Sequence, residues 1–196
     1  SPMSRTRLTT LVSLVGFLLL SVATPPLAVA GDDFELVYFP HEDTGSTFSN
    51  DWGDTRPGGR RHMGTDIMAE KHSAVVAVAD GFITAMKHSP RSGYHVRIEH
   101  QDGWESWYMH LNNDNFGTDD GAAGDEGAFP PGLAVGTFVS AGTVVGYVGD
   151  SGNAEGGSSH THFELHNGRQ AVNPYPYLAD AYERWIRVMD LADVLR

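Results

Sequence analysis

The chain has 196 residues, with 13 Lys and Arg against 25 Asp and Glu for a formal charge of −12, 40% hydrophobic residues, 23 Gly, 10 Pro, 10 His and no Cys. This length predicts one domain, or one domain plus a short extension, and the Gly and Pro content beside that hydrophobic fraction predicts a loop-rich, β-rich globule rather than a disordered chain. Without Cys there can be no disulfide, thiolate metal ligand, Cys nucleophile or Cys-linked lipid anchor, and the acidic balance argues against nucleic acid and anionic membrane, which both call for a basic surface.

Residues 1–30 read as a secretory signal: Arg5 and Arg7, an apolar stretch from Leu8 to Ala23, Pro25 and Pro26, and the small-residue site Ala28-Val29-Ala30. The apolar run is interrupted by Thr9, Thr10 and Ser13 and falls short of the ~20 apolar residues of a spanning helix. Membrane contact would therefore come only through an uncleaved signal. Cleavage after Ala30 leaves 31–196 as a single domain outside the cytoplasm, with 11 basic against 25 acidic residues and a charge of −14.

From Ala74 onward, short apolar alternations recur: Val75–Val78, Phe82–Met86, His95–Ile98, Ser106–Met109, Val144–Val148 and His162–Leu165. Asp80-Gly81, Ser92-Gly93, Asp102-Gly103 and Ser151-Gly152-Asn153 punctuate them. This pattern predicts an all-β fold, a compact antiparallel sandwich or barrel rather than a βαβ arrangement. The echo of Val78-Ala79-Asp80-Gly81 in Val139-Ser140-Ala141-Gly142 hints at a duplication. Asn112 to Gly136 is acidic and lacks apolar periodicity, so it reads as a long surface loop. Its acids form no Asp-x-Asp-x-Asp-Gly calcium ladder. In the tail, Leu178, Tyr182, Trp185, Ile186 and Met189 have helical spacing, predicting a short packing helix over 178–196.

Three histidine elements carry possible chemistry. In His160-Thr161-His162-Phe163-Glu164-Leu165, strand alternation puts both imidazoles on one face about 6.6 Å apart. That is wide for one ion, and suits one ligand with a second imidazole beside it. Arg61-His62-Met63-Gly64-Thr65-Asp66 offers an imidazole and a carboxylate that a straight strand would separate by roughly 13 Å. The chain must turn for them to share an ion, and Gly64 permits a turn. With one imidazole of His-x-His they make two nitrogens and one oxygen, an open set of the kind a catalytic zinc uses. His110 ends the apolar stretch Trp107-Tyr108-Met109-His110-Leu111 at the mouth of the long loop. His100 and His166 read as structural or exposed, and His41, His72, His88 and His95 show no partner pattern. Gly149-Asp150-Ser151-Gly152 resembles a serine-protease nucleophile segment, but no matching upstream His segment exists, so it reads as a Gly-rich turn. Ala85-Met86-Lys87 resembles part of a biotin-carrier hairpin; an exported chain would escape cytoplasmic biotinylation.

Taken in order, His62-Met63-Gly64-Thr65-Asp66, Val78-Ala79-Asp80-Gly81, Val96–His100, Tyr108-Met109-His110-Leu111, Gly146–Gly152, His160–Glu164 and Val172-Asn173-Pro174 resemble the lysostaphin-like, or LytM-type, zinc metalloendopeptidases that cut peptide bonds in bacterial peptidoglycan. The resemblance spans roughly His62 to Tyr177, with the core at about 57–177. It implies a two-sheet antiparallel β fold with a groove and a duplicated hybrid motif, and one Zn2+ per chain held by His62, Asp66 and His162. It also implies His110 and His160 as the catalytic pair and peptidoglycan peptides as substrate. The sequence departs from the family in Thr161, where Leu is common, and in the longer, more acidic loop after Leu111, which as the continuation of His110 is expected to border the groove. The rival reading is a non-catalytic relative that binds peptidoglycan or activates another hydrolase. Such relatives typically lack some metal ligands, and none is missing from this sequence.

Overall fold

The computed structural model describes residues 34–42 and 45–194. The segment read as a secretory signal lies outside them. Eleven strands are described: β1 (Thr55–Arg56), β2 (Arg60–Arg61), β3 (Thr65–Met68), β4 (Ala74–Val76), β5 (Gly81–Ser89), β6 (Gly93–Glu99), β7 (Trp104–Leu111), β8 (Phe138–Val139), β9 (Val144–Tyr147), β10 (His160–Asn167) and β11 (Gln170–Val172). Two helices accompany them, α1 (Gly124–Ala128) and α2 (Tyr175–Val194). Every pairing is antiparallel, in keeping with the all-β expectation.

The main sheet runs β11-β10-β7-β6-β5-β8, with β3 sharing an edge of β10 with β11. Its strands bury alternate residues on one face: Ile83, Val96, Ile98, Tyr108, Phe163 and Leu165 are all in the core. The opposite face of β10 displays His160, His162, Glu164 and His166. A small second sheet pairs β4 with β9 and contributes Val75 and Val145 to the same core. The two sheets are tied where Val78 N donates to the buried Tyr108 hydroxyl, 3.0 Å away.

The sequence echo has a structural counterpart. One copy forms the turn between β4 and β5 and the other the turn between β8 and β9, while β4 pairs with β9 and β5 with β8. The two strand-turn-strand segments thus interlock, and Ala141 N donates to Asp80 Oδ1 where the turns meet.

Two expectations need correction. Helix α2 begins at Tyr175 rather than at 178 and runs 20 residues, because Asn173 Oδ1 accepts the Tyr175 N–H and Pro176 is tolerated in a first turn, where its missing N–H costs nothing. Its Leu178 and Ala181 are buried, and Tyr182 and Trp185 pack on Phe39. The 112–136 segment is not wholly a surface loop, since Asn112, Asn113, Asp114, Ala128 and Phe129 are buried. Lys71 Nζ spans Asp114 and Asp119, each 2.7 Å away, and Asp150, 2.9 Å away, pinning the acidic segment with a cation. Gly64 lies in the expected bend, and close approach adds a second demand for glycine: a Cβ there would lie 2.4 Å from Phe163 O and 2.8 Å from His162 Nε2.

Candidate metal centre

Gly64 lets the chain press against β10, so that β3 pairs with it in the register His162↔Asp66. This sets the carboxylate across from the imidazole on the same side of the sheet. His62, just before β3, is fixed by its backbone, whose N–H donates to Asp54 O at 2.8 Å and whose carbonyl accepts from Gly53 N at 2.8 Å. The separation that a straight strand would impose is thereby removed. His62 Nε2 lies 3.1 Å from Asp66 Oδ1 and 2.8 Å from His162 Nδ1, and His162 Nδ1 lies 2.9 Å from Asp66 Oδ1.

Each of the three is held from behind. His62 Nδ1 faces Asp51 O at 3.0 Å and Asp51 Oδ2 at 3.2 Å. Both are acceptors, so this nitrogen carries the proton and Nε2 presents its lone pair. His162 Nε2 likewise donates to Glu164 Oε1 at 3.0 Å, leaving the lone pair on Nδ1. Glu164 Oε2 accepts from His166 Nε2 at 2.7 Å, and Asp66 Oδ2 accepts from Arg56 Nη2 at 2.6 Å. Fixing a ring's tautomer through its other nitrogen is what metal sites require of their histidines.

In neutral rings, two nitrogen lone pairs and a carboxylate oxygen thus converge with no proton of their own between them. Such a trio repels itself unless a cation occupies the gap. The donor set fits zinc: two nitrogens and one oxygen, whose separations need to open only a few tenths of an ångström to reach the ~3.3 Å between ligands of a tetrahedral ion. Without an ion, protons serve. Burial opposes the charge on His62, but its bonds to Asp51 and Asp66 prevail and raise its pKa to about 9. Asp66, despite burial, is held well below the usual carboxylate range by His162 and His62. Glu164 is lowered to about 2, its burial being outweighed by His162 and His166.

The other two predicted residues stand alongside. The His110 ring is 5.0 Å from that of His160 and 6.0 Å from that of His162. His110 sits at φ 58°, in the left-handed region that non-glycine residues seldom occupy. Its backbone N–H on Ser92 O at 2.9 Å and its ring Nδ1–H on Ser151 O at 2.8 Å hold it there. Ser151 is itself clamped, accepting from Tyr94 N and donating to Leu111 O. The segment read as a Gly-rich turn therefore serves to aim His110. Burial pushes the His110 pKa down to about 4, with the Ser151 carbonyl opposing, so the ring is neutral at pH 7 and Nε2 is its bare nitrogen. His160 donates from Nδ1 to Ser158 O at 2.9 Å, and its Nε2 is 3.9 Å from Asp66 Oδ1.

All five residues singled out in the sequence are thus brought together. Four supports are new: Asp51, Arg56, Glu164 and Ser151. Of these only Glu164 left a signal, two positions after His162 on the same strand face. His166, expected to be structural or exposed, is buried and bonded to Glu164. His41, for which no partner was expected, is buried between Ser46 and Thr161.

The sequence model described as Peptidase family M23 matches residues 60–123. The DD-carboxypeptidase/endopeptidase Mpg of Neisseria meningitidis serogroup B is 35% identical over 115 residues, which are 59% of this chain and 22% of that protein. The chain therefore spans about a fifth of the length of the curated relatives it matches. Among solved structures, the catalytic domain of the antimicrobial peptidase lysostaphin from Staphylococcus simulans has a TM-score of 0.54 and 25% identity, over 68% of this chain and 92% of that one. LytM from Ruminococcus gnavus has a TM-score of 0.58 and 28% identity, over 76% of this chain and 60% of that one.

Proposed function

We propose that this chain is a LytM-like M23 peptidase, a secreted zinc metalloendopeptidase that hydrolyses peptide bonds of peptidoglycan; the family model, the curated relatives and the solved structures support that reading. The observation that carries the reading is the convergence of His62 Nε2, His162 Nδ1 and Asp66 Oδ1 within 3.1 Å, beside the imidazoles of His110 and His160. The domain is taken as 31–196, released from a signal at 1–30 into the cell envelope or beyond.

His62, Asp66 and His162 would hold one Zn2+, which supplies Lewis acidity: it polarises a scissile carbonyl and makes water a stronger acid. Asp51 and Glu164 keep both rings in the tautomer that offers a lone pair to it. One of His110 and His160 accepts the proton of the attacking water at Nε2 and, once protonated, helps to stabilise the developing oxyanion; one of the pair then protonates the leaving amine. The low pKa of His110 keeps its ring neutral and able to accept. No side chain of the cluster becomes covalently attached to the substrate.

The test combines zinc content with release of peptide ends from purified sacculi. His62→Ala and Asp66→Ala should lose both, whereas His110→Ala and His160→Ala should keep zinc and lose roughly 100-fold or more in turnover. A wild-type chain that holds zinc yet releases no peptide ends would sink the enzyme reading, and an Asp66→Ala variant that binds zinc and cuts normally would sink the ligand assignment.

A further inference from the structure

The sheet face that carries His162 extends well past the metal ligands. Along β10 it continues with Glu164 and His166; across β7, Trp107 stands opposite Glu164; on β6, Arg97 stands opposite Trp107. Three of these side chains form a pile. The Arg97 Cζ lies 3.6 Å over the Trp107 ring, and Trp107 stacks on His166 with centroids 4.0 Å apart at 21°.

Two acids beside this pile already have donors. Glu105 Oε2 accepts the Trp107 indole N–H at 2.8 Å, and Glu164 accepts from His162 and His166. Arg97 forms no ion pair among the described residues, although the chain carries 25 acids, and its Nε is buried without an acceptor. A guanidinium centred this close over an aromatic ring is held there by the ring's negative face. Its terminal N–H groups remain at the rim, in the fork geometry that matches a carboxylate.

Two residues along β10 and two strands across separate His162 from Arg97, about 12 Å by ordinary strand dimensions. An extended peptide covers that distance in roughly three to four residues. On a strongly acidic protein, a substrate carboxylate would otherwise meet repulsion.

We propose that Arg97, held on Trp107, is a substrate subsite that takes a free carboxylate of the peptide some three to four residues from the scissile bond. This rests on the peptidase reading above and adds a selectivity to it: peptides with free carboxylates over those in which the carboxylates are amidated.

The test uses the zinc-loaded full chain and two synthetic peptidoglycan stem peptides, one with free carboxylates and one with the same groups as carboxamides. Affinity is measured by calorimetry, and cleavage is followed in parallel. The wild type should bind the free acid at least tenfold more tightly. Arg97→Gln should bring the two within twofold at unchanged zinc content, and Arg97→Lys, which keeps the charge but not the fork, should fall between them. Equal affinities in the wild type, or a tenfold preference that survives Arg97→Gln, would overturn the proposal. Absence of cleavage together with a preference that Arg97→Gln abolishes would refute the peptidase reading and uphold the subsite, so the two failures are distinct.

Discussion

Arg56 places a guanidinium nitrogen 2.6 Å from Asp66 Oδ2 and 3.1 Å from Asp51 Oδ2, behind the carboxylate proposed as a metal ligand and the residue that orients His62. It would thereby fix which carboxylate oxygen faces the proposed ion, while its charge draws electron density from that oxygen. These effects oppose one another in metal affinity. Orientation should dominate, because removing the guanidinium leaves Asp66 Oδ2 without its partner and the ligand free to turn. Arg56→Gln is therefore expected to weaken zinc binding by about tenfold to 100-fold in competition with a chelator, with Arg56→Lys in between. An unchanged affinity would make Arg56 a bystander. At this scale the sequence was informative about ligands and silent about most supports. His62, Asp66, His110, His160 and His162 belong to residue types that bind metals or move protons. Asp51 and Arg56 are ordinary surface types whose pairing with β3 depends on how the chain folds back. Ser151 acts on His110 through its backbone carbonyl, which every residue possesses.

Among the elements, the turn between β5 and β6 and the segment after β9 build the mount for His110 together. Gly93, at φ 58°, packs so closely on Ser151 that a Cβ would lie 2.2 Å from its Oγ. Gly93→Ala should therefore force Ser151 away and release His110 from the carbonyl that aims it. The expected outcome is a loss of about 1–3 kcal/mol in stability and at least tenfold in turnover, with zinc content retained, since no ligand lies on either segment. Calorimetric melting, metal analysis and an activity assay on one preparation check all three, and full turnover would show that Ser151 does not aim His110. The six alternating stretches in the sequence correspond to β4, β5, β6, β7, β9 and β10. The strands it did not reveal are β1, β2, β3, β8 and β11, each of two to four residues. Such runs are too short to establish a period, and they pair because neighbouring strands present an edge. β3 is the consequential case, since its register with β10 brings Asp66 to His162.

The whole molecule couples metal, protons and stability. In the metal-free protein His62 has its pKa raised from 6.5 to about 9, burial being outweighed by Asp51 and Asp66, and His162 is raised as well, its burial overcome by Asp66 and Glu164. The folded state thus binds more protons than the unfolded chain above pH 6.5. The stabilisation is complete below that pH and is lost as the pH rises through about 9. His110 is shifted the other way, to about 4, so its effect falls below pH 6.5, outside this window. The melting temperature of the metal-free protein should accordingly fall between pH 6.5 and 9, and His62→Ala should flatten the slope. Zinc, if it binds the folded state as proposed, should raise the melting temperature where the protons are lost. A metal-free melting temperature that is level or rising across this interval would contradict the proposed coupling.

The central claim, that this cluster makes the chain a zinc-dependent peptidoglycan endopeptidase, is met most directly by mass spectrometry of fragments released from defined peptidoglycan in 18O-labelled water. The zinc-loaded chain should produce new amino termini, each matched by a new carboxyl group carrying one 18O. The products should vanish when a chelator strips the metal and return when zinc is restored. Full zinc occupancy without any new peptide ends, or cutting that persists unchanged after the metal is removed, would contradict it.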